Sequence, residues 1–524
     1  MVEVHREVEL KFSVGPGVEV PSLVELAGPT NDGQRLTQGE PEHHVLRATY
    51  YDTADLGLAR HHLTLRRRVG GKDAGWHLKL PGEGSERAEV RLPAGRAGGA
   101  VPQRLQRLVR ARTHGDPLVP VATITTERTV HQLFDATDRA LLELADDRVA
   151  ARRVLPLGGS GDARGPEVAW REIEIEVLDG GEEVLAPVAA QLGARGLTVA
   201  PHTSKIARVL QVDEVTPDAD RTRGPRRSAK SSTSDVALAY VGDQLEQLRA
   251  QDILVRMGAP GSVHKMRVAT RRLRSALATF RPSFGPEVVG PLRDELKWLA
   301  GILGEVRDAE VMRERVLGVL QDGSAHVRLS SDPSEAEAEA QLGSAYAAAR
   351  DALLLELDGQ RYDQLLDALE TFMHAPPVTK RGRRPARKEL RRGVAHEYAG
   401  VRRLVKQAAA ATGSQERAEL LHDARKAAKR TRYAAELASD AFGSDARAFA
   451  AAMESTQELL GQHQDSVVLR ERLRELAETT TDPSAAFTYG RLHALEEARG
   501  RETEEQLPAV WARASRKRLR RWLR

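Results

Sequence analysis

The spacing of apolar residues changes once along this chain of 524 residues, near residue 215, and this change strongly constrains the fold. Before it, apolar and polar residues alternate in short runs interrupted by Gly and Pro, which is typical of antiparallel sheets. After it, apolar residues recur every three or four positions in segments rich in Ala, Leu and Arg, which is typical of amphipathic helices. The sequence therefore predicts an α+β protein of more than one domain, with a β-rich first part and an all-α second part.

The segment between the two parts is rich in Arg, Ser and Thr and has no apolar residue able to anchor a core. We therefore expect a β domain over residues 1–212, a basic flexible linker over residues 213–234 and a helical domain over residues 235–524. The length of the chain also favours more than one hydrophobic core.

Composition excludes several classes of protein. There is no Cys, so disulfides, thiolate nucleophiles, iron–sulfur clusters and Cys-ligated zinc are ruled out. The first residues lack the apolar core of a signal peptide, and no run of about 18 apolar residues follows, so we expect a cytoplasmic protein with no membrane span. The formal net charge of +4 is too mild to identify a partner, so the placement of the charges matters more.

Seven alternating runs in the first part are candidate strands. They cover residues 4–12, 62–69, 75–80, 87–92, 122–129, 140–145 and 170–177. Seven or eight strands of this length could close a small barrel or form a curved sheet.

Charged residues share one face of several of these strands, because side chains at positions i and i+2 point to the same side. The rows are Glu7, Glu9 and Lys11; Arg66 and Arg68; His77 and Lys79; and Glu172, Glu174 and Glu176. Each row alone is more typical of the solvated face of a half-buried sheet. On a solvent-facing surface, however, charges of mixed sign would neutralise each other, and rows dominated by one sign of charge do not allow this. Turned inward, the carboxylates could hold a hard cation such as Mg²⁺, and the bases could hold a polyanion.

Six blocks, in this order, resemble the CYTH family, also called triphosphate tunnel metalloenzymes, over roughly residues 1–212. The blocks are Glu7-Val8-Glu9-Leu10-Lys11, which is an ExExK signature, then Tyr51-Asp52-Thr53, Leu65-Arg66-Arg67-Arg68, Trp76-His77-Leu78-Lys79, Glu172-Ile173-Glu174 and Ser204-Lys205. The resemblance implies an antiparallel, eight-stranded β-tunnel or barrel that binds a triphosphate.

The resemblance also implies a role for each site residue. The residues expected to hold Mg²⁺ or Mn²⁺ are Glu7, Glu9, Glu172 and Glu174. The residues expected to grip the triphosphate are Lys11, Arg66, Arg68, Lys79, Arg128 and Lys205. The residues expected to take part in catalysis are Glu7, Glu9, Lys11, Lys79 and Lys205. A further acid is expected late in the tunnel, and Glu143, Asp146 and Asp147 all remain candidates because the end of that strand is ambiguous.

The helical part contains an internal repeat. Residues 264–274 resemble residues 422–432, and residues 303–308 resemble residues 460–465, at nearly the same separation. Two matching pairs at one separation predict a duplicated helical bundle with pseudo-twofold symmetry.

Each repeat places one His and three bases on one helix face. These two stripes are His264, Arg267, Arg271 and Arg274, and His422, Arg425, Lys429 and Arg432. A charged helix face is often only solvated, but the recurrence of this stripe with Asp423 as the only acid among its residues favours a polyanionic ligand. No HExxH spacing, no Cys and few aromatic residues argue against zinc and against specific binding of nucleic acid.

These helical segments resemble the CHAD domain, a helical domain named for its histidines, over roughly residues 235–524. The resemblance implies a pair of four-helix bundles with a basic groove that binds inorganic polyphosphate. Further base clusters at residues 380–392 and 513–524 are expected to strengthen anion binding rather than to define it.

Together, the two resemblances predict metal-dependent hydrolysis of inorganic triphosphate or polyphosphate by a triphosphatase, with the helical domain gathering the polymer. Two alternatives remain open. One is a non-catalytic polyphosphate-binding protein associated with polyphosphate granules. The other is a class IV-type adenylate cyclase, for which no base-binding pocket is recognisable in the sequence.

Overall fold

The structure, a computed structural model, divides the chain into two compact units, Met1–Asp220 and Arg221–Arg524. It describes residues 3–15, 17–28, 35–81, 86–95, 100–154, 164–179, 182–200, 204–211, 231–321 and 334–523. Most of the expected linker over residues 213–234 therefore lies outside the described residues. No helix in the described ranges is both long enough and apolar enough to span a bilayer.

The first unit is built on one antiparallel sheet of ten strands, which confirms the expected class for this part of the chain. The strands are β1 Glu3–Val14, β2 Thr37–Gln38, β3 Glu42–Asp52, β4 Thr64–Val69, β5 Gly75–Leu80, β6 Glu86–Pro93, β7 Val119–Phe134, β8 Ala140–Val154, β9 Arg164–Val177 and β10 Thr198–Val199.

Sequence periodicity located seven of these ten strands; it missed β3 and the two-residue strands β2 and β10, and it ended β8 too early. The buried row of β3 is Leu46, Ala48 and Tyr50, of which only Leu46 is strongly apolar. In β8, Asp146 and Asp147 interrupt the apolar pattern, although the strand continues for seven more residues to Val154. The errors at β3 and β8 arise because the inner face of this sheet is polar, so alternation of apolar and polar residues is weak there.

The strands lie in the order β10-β1-β6-β5-β4-β3-β7-β8-β9, and β2 pairs with β7. Strand β1 changes its pairing along its length. Residues 3–8 pair with β6, and residues 9–14 pair with β9. The first long strand of the unit is therefore hydrogen-bonded to the last.

In the described part of this unit, four α-helices accompany the sheet: α1 Leu23–Ala27, α2 Gln103–Thr113, α3 Glu182–Ala194 and α4 Lys205–Leu210. Helices α1 and α3 pack on the apolar face of β1, β8 and β9, where Phe12, Leu144 and Ile173 are buried. Burial of each such side chain stabilises the fold by about 1.5–3 kcal/mol. Since this apolar face is covered by helices, the charged face of the same strands points to the opposite side of the sheet.

The second unit is all-helical, as expected. Its helices are α5 Thr233–Met257, α6 Ser262–Phe284, α7 Pro286–Gln321, α8 Ser334–Leu357, α9 Gln360–His374, α10 Ala386–Ala410, α11 Ser414–Phe442, α12 Ser444–Thr479 and α13 Pro483–Ala514, followed by a 3₁₀ helix, Lys517–Leu523.

The internal repeat falls on equivalent helices. Residues 264–274 and 422–432 lie on α6 and α11, and residues 303–308 and 460–465 lie on α7 and α12, which are both 36 residues long. Each of these helices packs against the next one in sequence, and α6 also contacts α11. The two copies of the repeat therefore meet through their His-containing helices.

Candidate functional site

The charged face of the sheet surrounds a cavity of about 330 Å³, here called the sheet cavity. Expected site residues that line it are Glu9, Lys11, Arg66, Arg68, Lys79, Arg128, Glu174 and Lys205. The side chains of Glu9 and Lys11 are only 10% and 15% exposed, so this row is not a solvated face. All six bases expected to grip a triphosphate thus line the same cavity.

Strand register explains why these side chains meet. Lys11 of β1 lies opposite Glu174 of β9, and Asp147 of β8 lies opposite both Arg128 of β7 and Glu172 of β9. Directly opposed residues on one sheet face have their Cβ atoms about 4.5–5.5 Å apart. Acids and bases from four strands are therefore paired by the pattern of backbone hydrogen bonds.

Three carboxylates, here called the acid triad, come together at one end of this face: Asp147, Glu172 and Glu174. One oxygen of each lies within 4.8 Å of the others. The ammonium of Lys205 lies 2.8 Å from Asp147, 2.8 Å from Glu172 and 2.7 Å from Glu174. Arg128 donates two hydrogen bonds of 2.7 Å to Asp147 and one of 2.5 Å to Glu174.

The triad distinguishes the three candidates for the late acid. Asp147 belongs to it and is fully buried. Asp146 points to the other side of β8 and pairs with Arg171 through hydrogen bonds of 2.7 and 2.8 Å. Glu143 lines the sheet cavity but accepts a hydrogen bond from Gln132.

The charges of this cluster stabilise one another. Burial would raise the pKa of Glu174, but Lys11, Lys205 and Arg128 hold that pKa well below its usual value. Conversely, burial would lower the pKa of Lys205, but the three carboxylates raise it above its usual value. Glu174 and Lys205 are consequently charged near neutral pH.

The donor set of the acid triad fits Mg²⁺ or Mn²⁺, since both prefer carboxylate oxygens and the three oxygens are close enough to share one ion. Glu172 and Glu174 were expected as ligands, whereas Asp147 was one of three open candidates. Glu9 is not part of the triad and lies 3.2 Å from Lys11. The side chain of Glu7 lies outside the described residues, although its backbone pairs with Arg87 in the sheet.

Sequence reasoning assigned no role to a second buried acid, Glu89. Its carboxylate lies 3.1 Å from a ring nitrogen of His77. It also lies 3.8 Å from the guanidinium of Arg66 and 3.9 Å from the ammonium of Lys79. Burial would raise the pKa of Glu89, but the hydrogen bond from His77 and the charges of Lys79 and Arg66 lower it strongly. Glu89 therefore orients two of the expected triphosphate-binding bases, and only strand register, which places it opposite Lys79, could have revealed this.

The motif Tyr51-Asp52-Thr53 has a structural role, because Asp52 holds the turn that follows β3. Its carboxylate accepts backbone hydrogen bonds from Leu58 at 2.8 Å and Ala59 at 2.9 Å, at the start of a short 3₁₀ helix. Burial raises the pKa of Asp52 to about 6, although these hydrogen bonds oppose the shift. Asp52 thus fixes the chain that leaves β3.

The helical unit has its own charged space, a cavity of about 820 Å³ here called the helix cavity. Both stripes contribute to its lining through His264, Arg267, Arg271, His422, Arg425, Lys429 and Arg432. Two stripes that are far apart in sequence therefore face one space. Arg274 is not among the lining residues, so the structure does not bring this member of the first stripe to the cavity.

The expectation that the stripes lack neutralising acids was wrong at two positions, because the acids come from other turns and other helices. Arg267 pairs with Asp308 at 3.2 Å. Arg432 pairs with Glu436 at 2.7 Å and with Glu454 at 2.8 Å.

The centre of the helix cavity is different. Within the ranges that the structure describes, no carboxylate lies within 4.0 Å of the charged groups of Arg271, Arg425 or Lys429. Burial and the positive charges of Arg271 and Arg425 lower the pKa of Lys429 to about 6. Burial and neighbouring bases also lower the pKa of His264 and of His422. Such a cluster of uncompensated cations is stabilised by a bound polyanion.

Two glycines at equivalent positions of the repeat, Gly304 and Gly461, lie close to stripe arginines. A Cβ atom at Gly304 would lie 3.7 Å from the guanidinium of Arg267, and one at Gly461 would lie 3.4 Å from that of Arg425. The corresponding arginine of each repeat therefore lies close to the following helix at its glycine, at a distance where a Cβ atom would make ordinary van der Waals contact.

Comparison with known proteins agrees with this division of the chain. Residues 5–210 match the CYTH domain family, and residues 239–474 match the CHAD domain family. The chain is 37% identical to the uncharacterized protein Rv2226 of Mycobacterium tuberculosis over 517 residues, which cover 97% of this chain and 96% of that protein.

Two further relatives match parts of the chain. The thiamine-triphosphatase of Homo sapiens is 45% identical over 76 residues, which cover 14% of this chain and 27% of that protein. Among solved structures, the CHAD domain from the plant Ricinus communis aligns with a TM-score of 0.43 at 28% identity and covers 56% of this chain and 95% of that one.

Proposed function

The chain belongs to the family in which a CYTH domain is followed by a CHAD domain, and on that premise we propose that it is a metal-dependent phosphohydrolase. Its substrate is inorganic triphosphate or the end of a polyphosphate chain, which it cleaves in the sheet cavity, and its helical unit binds polyphosphate. One observation carries the proposal: six bases line a single cavity, and a buried acid triad contributes one of its members, Glu174, to the same lining.

The residues of the sheet cavity divide the work. Lys11, Arg66 and Arg128 bind non-bridging phosphate oxygens and neutralise the charge that develops on the transferred group. The acid triad would hold Mg²⁺ or Mn²⁺, which supplies charge neutralisation and lowers the pKa of a bound water when present. Glu9, next to Lys11, orients the attacking water. Lys205 contacts the triad and also lines the cavity, so it can move its ion pairs from carboxylates to a phosphate.

We also propose that the sheet closes into an eight-stranded tunnel and that the helical unit consists of two four-helix bundles. The pairing of β1 with both β6 and β9 supports the first point. The second is supported by the equivalent order of α5 to α8 and of α10 to α13.

A substrate panel tests the proposal. Phosphate release is measured with inorganic tripolyphosphate, long-chain polyphosphate, thiamine triphosphate and ATP, each with Mg²⁺, with Mn²⁺ and with a chelator. We expect metal-dependent release from at least one inorganic substrate. Binding without release would favour the non-catalytic alternative, and formation of cyclic AMP from ATP would favour the cyclase.

Replacement of Lys205 should separate metal binding from substrate binding. In Lys205→Met, the acid triad loses its internal cation, so we expect the affinity for Mn²⁺ alone to rise about tenfold and the affinity for tripolyphosphate to fall. Calorimetric titration with each ligand measures both effects. Arg208→Met is the control, because Arg208 lies on the same helix but stacks on Trp170. An unchanged Mn²⁺ affinity would contradict the competition between Lys205 and metal.

Polyphosphate binding by the helix cavity should depend on pH through Lys429. Its pKa is about 6 in the free protein, and a bound polyanion must raise that value because it favours the charged amine. Binding therefore takes up a proton above about pH 6, and affinity falls as pH rises, by up to about tenfold per pH unit. Lys429→Arg keeps the charge and should remove this decline.

The test of Lys429 is a set of binding isotherms between about pH 5 and about pH 8.5. His264→Gln with His422→Gln is measured alongside, because a bound polyanion also favours the charged form of these imidazoles, and removing them separates their contribution from that of Lys429. If wild type and Lys429→Arg show the same pH dependence, Lys429 is not the titrating group.

We propose domain boundaries at residues 1–212, 213–234 and 235–524, and a fragment tests them. Residues 1–212 alone should fold and keep the turnover number on tripolyphosphate, while the affinity for long chains falls by more than about tenfold because the second binding unit is lost. Steady-state kinetics with both substrates measures this. A fragment that is folded but inactive on tripolyphosphate would show that the helical unit completes the catalytic site.

A further inference from the structure

The last described residues of the chain are held in place, although the sequence suggested only a basic tail. Trp522 of the 3₁₀ helix is 5% exposed. Its ring centroid lies 4.9 Å from that of Phe442 at the end of α11 and 6.1 Å from that of Phe449 on α12. The aromatic contacts fix the position of the bases on either side of Trp522.

These bases line a pocket of about 380 Å³ against α10, here called the tail pocket. Its lining residues are Ala395, Tyr398, Lys517, Arg520, Arg521 and Leu523. Three of the six are cations and none is an acid. Among the described residues, no carboxylate lies within 4.0 Å of the charged groups of Lys517, Arg520 or Arg521.

Buried polar atoms in this pocket lack partners. Tyr398 is 6% exposed, and its hydroxyl has no hydrogen-bond partner in the described part of the chain. The same is true of Nε of Arg520, which also lines the pocket. Buried groups of this kind are rarely left unsatisfied in folded proteins. A guanidinium nitrogen can only donate, so the missing partner of Arg520 Nε is a hydrogen-bond acceptor.

The surroundings of the pocket favour an acceptor with negative charge. The guanidinium of Arg520 lies 5.1 Å from the ring centroid of Tyr398, and Tyr398 in turn stacks on Trp511. These contacts hold the guanidinium of Arg520 over the ring of Tyr398 before any ligand arrives. An ammonium, two guanidinium groups and a phenol hydroxyl around one pocket match the several oxygens and the multiple charge of a phosphate group.

We propose that the tail pocket is a second phosphate-binding site of the helical unit, which takes a phosphate group of inorganic polyphosphate. It is separate from the helix cavity, because no residue lines both. Arg387 and Arg391, whose guanidinium groups lie 6.0 and 5.1 Å from the ring of Phe442, extend the positive surface beside it. The assignment rests on the donors of this pocket and not on hydrolysis in the sheet cavity.

Hydrogen exchange of the full chain tests the site locally. Long-chain polyphosphate should slow amide exchange over residues 517–523 in the wild type. It should do so equally in Arg271→Gln/Arg425→Gln, where the helix cavity is weakened. Protection should disappear in Lys517→Gln/Arg520→Gln/Arg521→Gln, which leaves Trp522 in place. No protection of this segment in either of the first two proteins would overturn the proposal, whatever the hydrolysis assay shows.

Two further variants distinguish a built site from general charge. The triple variant Lys517→Gln/Arg520→Gln/Arg521→Gln should reduce the slope of log affinity against log salt concentration by about two units. Lys297→Gln/Arg491→Gln/Arg501→Gln removes the same charge from exposed positions elsewhere in the unit and should have a smaller effect. Tyr398→Phe changes no charge, yet in the Arg271→Gln/Arg425→Gln background it should lower affinity severalfold at an unchanged melting temperature. Equal losses in both triples together with an unaffected Tyr398→Phe would show general electrostatic attraction only.

Discussion

Asp147→Asn is expected to lower the turnover number for inorganic tripolyphosphate by about 10²- to 10³-fold. Asp147 is fully buried and belongs to the acid triad, and it accepts two hydrogen bonds from the guanidinium of Arg128. Its loss therefore removes one carboxylate from the candidate metal site and releases a base that is positioned to bind phosphate.

Asp146→Asn is the matched control, since it makes the same chemical change one position away on the opposite side of β8. Asp146 pairs with Arg171 and has no contact with the triad, so the turnover number should stay within about twofold. Steady-state kinetics at saturating metal, with melting curves to confirm folding, measures both variants. Equal losses in the two variants, or activity retained in Asp147→Asn, would contradict the assignment of the triad.

Arg271→Gln/Arg425→Gln is expected to weaken binding of long-chain polyphosphate by at least about 10²-fold, since each lost charge-assisted hydrogen bond contributes about 1.5–3 kcal/mol. The two guanidinium groups come from different repeats and lie at the uncompensated centre of the helix cavity. The log–log dependence of affinity on salt should also become flatter by somewhat less than two units.

Arg274→Gln/Arg430→Gln is the matched control for this pair. The two residues lie on the same helices, α6 and α11, but do not line the helix cavity, and Arg430 pairs with Glu397 at 3.0 Å. Fluorescence anisotropy with labelled polyphosphate over a salt series compares the two double variants. If the control weakens binding as much as the first pair, the ligand follows the general charge of these helices and not the cavity.

Much of the fold was predictable because its two parts have different apolar periods, and the repeat around His264 and His422 could be read directly. Face assignments along single strands were also predictable, and they placed Lys11 with Glu9 and Arg66 with Arg68. The structure shows both pairs on the lining of the sheet cavity.

What could not be predicted depends on register and on contacts between elements. Alternation places Glu143 and Asp147 on the same face of β8, and only the pairing with β7 and β9 selects Asp147 for the triad. The role of Glu89 likewise follows from its position opposite Lys79. The acids that neutralise Arg267 and Arg432 lie outside the stripes, and the packing of α6 on α11 brings two separate stripes to one cavity.

The central claim is that the sheet cavity cleaves inorganic triphosphate, and phosphorus NMR of tripolyphosphate incubated with the full chain and Mg²⁺ in ¹⁸O-labelled water tests it most directly. We expect conversion to equal amounts of pyrophosphate and orthophosphate, no conversion with a chelator, and loss of conversion in Asp147→Asn but not in Asp146→Asn. Since the attacking water supplies the new oxygen to the terminal phosphorus, the label should appear in orthophosphate. Unchanged tripolyphosphate with wild-type protein under these conditions would contradict it.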